Sequence, residues 1–284
     1  MQRIALDANL TCPNRDGTKG VGGCIYCNAR GSGTGLGKKL SISQQVALAK
    51  ERLRHRYKAK KFIAYLQSFS NTYAPLDRLR EIYQQAIDDT DVVGLAIGTR
   101  PDCAPEEVLD LLQEFNRKTY LWVEYGLQSI HDATLKRINR GHTARDFVDA
   151  VERTKARGIE VVAHVILGLP GEGKGEMLET AKALGELGVD GVKPHLLYVV
   201  EGTPLEEMLK RGEYIPLSRE KYVEILCEFL ATLPPDVVIH RLTGDPHPHE
   251  LVAPRWALDK ASTLKEIERE LVKRDLWQGK WWRG

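Results

Sequence analysis

Val161-Val162-Ala163-His164-Val165-Ile166-Leu167-Gly168-Leu169-Pro170-Gly171-Glu172 passes from a β-branched, apolar run into a turn rich in glycine and proline. A short run of this kind, bounded by turn residues, predicts a buried strand. A helical pattern follows at 176–187 and stops at Gly188, where the left-handed cap needs no Cβ. Strand, glycine-rich loop and helix make one βα unit. The same alternation predicts strands at 3–6, 62–66, 92–97, 120–123 and 192–200. Helical patterns lie between them near 43–58, 76–88, 105–116 and 144–157, the last ended by Gly158. Six strands alternating with helices imply a parallel sheet with right-handed crossovers. The expected fold is α/β, a partial TIM-type (β/α)6 barrel over residues 1–210 with its active face at the carboxyl ends of the strands. Residues 211–284 hold one more strand-like run at 237–242 and a helix near 263–274, and read as a C-terminal cap or extension packed on that barrel.

Composition narrows the class. With 42% hydrophobic and 28% charged residues among 284, the chain buries a sizeable core and is not disordered. Its 41 Lys+Arg and 39 Asp+Glu give a net charge of +2, which argues against a dedicated basic nucleic-acid binder. No apolar stretch approaches the ~20 residues of a membrane span, and the first residues lack a signal-peptide pattern. Five cysteines, an odd number, do not form a disulfide framework in a chain of this length. A reducing cytoplasm is the expected location.

Three of those cysteines, Cys12, Cys24 and Cys27, share one loop (residues 8–37) that follows the first strand. Thiolates brought together repel one another unless a cation holds them. A structural zinc site takes four ligands, so three cysteines leave one metal position open. The other segments at strand ends are also polar or glycine-rich: Gln67-Ser68-Phe69-Ser70-Asn71-Thr72, Gly98-Thr99-Arg100-Pro101-Asp102-Cys103 and Glu124-Tyr125-Gly126-Leu127-Gln128-Ser129. Polar groups gathered where strands end are how this architecture builds a cofactor site.

The spacing C-x11-C-x2-C, with Tyr26 before the last cysteine and Cys12-Pro13-Asn14-Arg15-Asp16-Gly17 opening the loop, resembles the radical S-adenosylmethionine (SAM) superfamily and within it the YhcC/YtqA family. Thr99-Arg100-Pro101-Asp102, the Glu124–Ser129 stretch, Asn139-Arg140-Gly141-His142-Thr143 and Gly168-Leu169-Pro170-Gly171-Glu172 are similar to the radical-SAM domain of the elongator catalytic subunit, which acts on the tRNA wobble uridine. The resemblance implies a [4Fe–4S] cluster on Cys12, Cys24 and Cys27, with SAM on the open iron and reductive cleavage to a 5′-deoxyadenosyl radical. It places Gln67, Ser68 and Asn71 near the methionine amino group and Arg140 on the methionine carboxylate. Gln128 and His164 fall near the ribose, with Tyr26, Glu124 and Gly168 completing the cofactor surroundings. Gly98 stands where several relatives carry a glutamate that touches SAM. The implied partners are tRNA as substrate and an electron donor such as flavodoxin or ferredoxin.

Other readings of the same residues remain open at this level. The cysteine loop also suits a zinc knuckle borrowing His55, and the chain a non-enzymatic zinc- or RNA-binding module. A small metabolite or a protein side chain is the alternative substrate. Asp102 and Cys103 are the candidate catalytic groups, whereas Cys227 in an apolar helix reads as a packed core residue. The glycines of 31–37 lack the Gly-Lys-Ser/Thr ending of a phosphate loop. The basic run Lys50, Arg52, Arg54, Arg56, Lys58, Lys60 and Lys61 suits either solvation or phosphate contact. Trp277, Trp281 and Trp282 suit either base stacking or closure of the barrel's open side.

Overall fold

The computed structural model describes residues 1–28, 31 and 36–284; most of the glycine pattern at 31–37 lies outside the described residues. Strands and helices alternate as β1 (Gln2–Leu6), α1 (Ile42–Tyr57), β2 (Phe62–Leu66), α2 (Leu76–Ile87), β3 (Val92–Thr99), α3 (Glu106–Asn116), β4 (Tyr120–Gln128), α4 (Asp132–Arg137), α5 (Ala144–Lys155) and β5 (Glu160–Leu167). Then come α6 (Lys174–Leu187), β6 (Gly191–Leu196), β7 (Val199–Val200), α7 (Pro204–Lys210), α8 (Arg219–Thr232), β8 (Val238–Ile239), β9 (Leu251–Ala253) and α9 (Lys260–Lys273). This is a mixed α/β fold of the partial TIM-barrel class, built on parallel strands. Two compact units divide the chain: Met1–Val21, Ala29–Gly126 and Asp146–Val161 form the first, and Gly22–Asn28, Leu127–Arg145 and Val162–Gly284 the second.

In the first unit β1, β2, β3 and β4 pair in parallel, with Ile4 beside Ala64 and Leu6 beside Leu66. Alternate residues face opposite ways. Ile4, Leu6, Phe62, Ala64, Leu66, Leu95, Ile97, Leu121 and Val123 make a buried apolar face. The other face is polar: the Arg3 guanidinium lies over the rings of Tyr65 and Trp122, at 5.0 and 5.8 Å. Helix α1 starts at a capping box, in which the Ser41 side chain accepts from Gln44 N and the Gln44 side chain accepts from Ser41 N.

The basic run behaves differently from a phosphate-binding stripe. Lys50 is buried and reaches Asp89 and, at 3.0 Å, Asp91, while Arg54 and Lys61 also pair with Asp91. These contacts sit at the amino ends of β2 and β3, opposite the end where Cys12 and the polar loops emerge. Lys50, Arg54 and Lys61 therefore clamp α1 and β2 to the start of β3, while Arg52, Arg56, Lys58 and Lys60 are exposed. His55 occupies the same exposed last turn of α1, so it is poorly placed to complete a zinc knuckle with the loop after β1.

In the second unit β5, β6 and β8 are parallel, and β7 pairs antiparallel with β9. The strand-like run at 237–242 supplies β8, which pairs in parallel with β6. Leu135, Ile138, Ile166, Leu169, Leu197, Val199, Leu205 and Tyr214 form one apolar core, with Ile25 and Tyr26 packed against it. Cys227 is fully buried in α8, as its apolar setting predicts. The aromatic tail packs within the second unit. Gln278 donates to the carbonyls of Pro234 and Val237, just before β8, and the Trp282 ring lies against Gly185 near the end of α6. Among the described residues no helix is long and apolar enough to cross a membrane.

Candidate functional site

The second cysteine pair is set by three backbone anchors within the second unit. Ile25 N donates to Ile138 O (3.1 Å), Asn139 Nδ2 donates to Gly23 O (2.8 Å), and Leu205 N donates to Ile25 O (3.0 Å). A turn in which Cys27 N donates to Cys24 O at 2.9 Å puts both thiols on one loop. Asn139 takes φ 52°, a left-handed value that Asn tolerates, and so turns the next side chain toward that loop. Arg140 is buried, and its Nη1 donates to Cys24 Sγ at 3.5 Å. Tyr26 lies beside Cys24; burial, and then the Cys24 sulfur, hold its phenol well above the ordinary value.

Cys12 belongs to the first unit, in a tight turn whose carbonyl accepts from Arg15 N and Asp16 N at 2.8 and 3.2 Å. Among the described residues no three Cys, His, Asp or Glu side chains are gathered into a metal-holding group, and all five cysteines are free thiols.

The loop after β2 carries the clearest sign of a missing ligand. Ser68 Oγ, Ser70 Oγ and Asn71 Oδ1 are buried and have no hydrogen-bond partner. Asn71 is oriented by its own amide: Nδ2 donates to Gly98 O at 2.8 Å, which turns Oδ1 the other way. A Cβ at Gly98 would come within 3.1 Å of Leu66 O, a tight contact that β2 would have to yield to. Between Ser68 and Ser70, Phe69 is held at φ 59°, a strained value of the kind that collects at functional sites. Each orphaned acceptor costs about 1–3 kcal/mol unless a donor arrives. An amino group is such a donor, and soft thiols suit iron–sulfur ligation, so the residues present fit the cofactors that the motifs imply. Ser70 is absent from the sequence-derived set. Its only signal was membership of the polar Gln67–Thr72 stretch, where nothing distinguished it from its neighbours.

Other candidates have structural employment. Glu124 accepts from Trp122 Nε1 (3.0 Å) and from Arg3 Nη1 (3.4 Å), which ties β4 to β1 across the polar face. Gly168 O accepts from Tyr214 OH at 3.0 Å, and a Cβ there would meet Leu217 at 3.0 Å, so this glycine admits the segment before α8. Gln128 ends β4 at φ 79°, again strained, and His164 lies half-buried on β5. Glu172, unassigned by the sequence reading, bonds Ser129 Oγ and so ties the loop after β5 to the loop after β4; burial raises its carboxyl above the ordinary value.

Asp102 and Cys103 line a cavity of about 830 Å³ together with Lys19, Thr72, Tyr73 and Glu107. Arg100 donates to both Asp102 oxygens, each at 2.9 Å, and Lys19 Nζ stands 2.8 Å away. The Cys103 thiol is pushed up to about 12 by burial and then by Asp102, and stays protonated. Both side chains shape the cavity wall.

Comparison with known proteins identifies the family. The profile of the Radical SAM superfamily matches residues 14–184, starting just past Cys12, and that of the Radical_SAM C-terminal domain matches 189–273. The uncharacterized protein YtqA of Bacillus subtilis is 43% identical over 98% of this chain and 87% of its own length. A tRNA uridine(34) acetyltransferase of Methanocaldococcus infernus is 34% identical over 54% of this chain and 29% of its own. The solved structure of the archaeal Methanocaldococcus infernus Elp3 shares the fold, with a TM-score of 0.78 and 21% identity over 98% of this chain and 64% of that one. The superfamily match covers more than half of the sequence, and the chain belongs to the radical SAM superfamily.

Proposed function

We propose that this radical SAM enzyme modifies the side chain of a tRNA wobble uridine in the cytoplasm, drawing electrons from a carrier such as flavodoxin or ferredoxin. The observation that carries the substrate is the likeness, over about half the chain, to a protein named for tRNA uridine(34). The superfamily's cofactors are a [4Fe–4S] cluster and SAM, which when bound supply one-electron cleavage of SAM and hydrogen-atom abstraction. In our reading Cys12, Cys24 and Cys27 hold the cluster. Ser68, Ser70 and Asn71 accept from the methionine amino group, Arg140 supplies positive charge beside Cys24, and Gln128 and His164 line the ribose.

A small-metabolite substrate is the second reading. It is favoured by Lys50, Arg54 and Lys61 of the basic run and by Trp282, which sit at the amino ends of their own units' strands. Mass spectrometry of tRNA nucleosides from cells with and without the gene decides between them. Loss of a modified wobble uridine in the deletion supports the first, and unchanged wobble nucleosides remove it.

A further inference from the structure

The second unit holds a cluster of polar groups of which the cofactor assignments use His164 alone. Strand register pairs His164 with Lys193 and Ile166 with His195, so His164, Lys193 and His195 share one face. The other face, with Ala163, Val165, Leu167, Val192 and Leu196, is buried and apolar. The segment after β8 closes over this group. A Cβ at Gly191 would come within 2.8 Å of His240 Nε2, and one at Gly244 within 3.1 Å of the His195 ring. Tyr198 packs on His195 with ring centroids 5.0 Å apart. Tyr222 OH donates to Leu242 O at 2.7 Å and fixes the backbone next to Arg241.

Within that frame Arg241 Nε is buried without a hydrogen-bond partner. A guanidinium carries its charge at every physiological pH, so this donor calls for an acceptor from outside the chain. The local field agrees: His195 is held neutral, well below its ordinary value, by burial and then by Arg241, with His164 and Lys193 adding to it. Asp245, the acid that Tyr198 senses, is turned to Lys260, which it meets with both oxygens at 2.9 Å.

We infer that Arg241, on the segment that covers the His195 ring, forms an oxyanion subsite that takes a phosphate or carboxylate group of the substrate. It rests on the radical SAM reading and deepens it by naming a group the substrate carries. The Arg fork is suited to either anion.

Calorimetry on the anaerobic, cluster-loaded protein with inorganic phosphate and with succinate tests it. Saturable binding of one probe is expected, weakened at least tenfold by Arg241→Gln and partly kept by Arg241→Lys, with SAM affinity unchanged in both. Preference for phosphate names a phosphate ester, and preference for succinate names a small carboxylate. No binding of either probe to the wild type, or undiminished binding by R241Q, overturns the subsite. So does a variant that loses SAM affinity while binding the probes normally. Wobble-nucleoside analysis fails or succeeds separately: unchanged nucleosides with Arg241-dependent anion binding remove the tRNA substrate and keep the subsite.

Discussion

Arg140 Nη1 stands 3.5 Å from Cys24 Sγ, a buried cation hydrogen-bonded to a thiol of the cysteine loop. Donors to sulfur ligands stabilise the added electron of an iron–sulfur cluster. Arg140→Gln is therefore expected to lower the cluster's reduction potential, read by an electron paramagnetic resonance titration. Its SAM affinity should fall by about 1.5–3 kcal/mol, the worth of a hydrogen bond to a charged group. Arg140→Lys should recover only part of either effect, since an ammonium does not reproduce the fork. An unchanged potential in both variants would show that the contact does not persist in the loaded protein.

Cys12→Ala, Cys24→Ala and Cys27→Ala should each abolish a stable cluster, measured as iron and sulfide per chain after anaerobic reconstitution. Cys12 is the informative member, because it lies outside the superfamily match. Cys227→Ala should keep the cluster and lower stability by about 1–2 kcal/mol through the cavity it leaves in α8. Full iron content in C12A would remove Cys12 from the ligand set.

Ser70→Ala should act with opposite signs on two measurements. Removing a buried hydroxyl that lacks a partner should leave thermal stability unchanged or raise it by up to about 1 kcal/mol. SAM affinity should fall. A loss of stability with normal SAM binding would show that the hydroxyl is satisfied in the apoprotein and idle in the complex.

The Lys50 clamp gives a pH signature. Hydrogen bonding to Lys50 is the leading cause holding both Asp89 and Asp91 below the usual carboxylate range. Groups depressed on folding add stability above their unfolded pKa, near ~4, and lose it as the pH falls through the folded values. Lys50→Met should destabilise by a constant amount above about pH 5, with the difference shrinking in acid. A pH-independent difference would assign the clamp to packing of the lysine stem alone. The reversed triple R52E/R54E/R56E, read by the same denaturation, should cost stability at Arg54, whose partner Asp91 would be repelled.

The alternation of β-branched runs and glycine-stopped helices was legible in the sequence because strand burial and helix capping are local properties. The cysteine loop stands out in the sequence for a local reason too, as three thiols close together have few uses besides holding a metal. What the chain did not disclose was direction. Lys50, Arg54 and Lys61 look like part of a binding stripe until Asp89 and Asp91 are seen to pair with them. Glu124 and Asp102 likewise look available until Arg3, Trp122, Arg100 and Lys19 are placed around them. Ion pairing is long-range in sequence, and composition cannot assign partners.

Gly185 and Trp282 occupy one space: a Cβ at Gly185 would fall 2.4 Å from the Trp282 ring, inside any real contact. Helix α6 and the last residues of the chain are thus locked into a shared inheritance. A side chain appearing at 185 is tolerable only in a lineage that has first shrunk or displaced the ring at 282. Drift at either position alone passes through a destabilised ancestor.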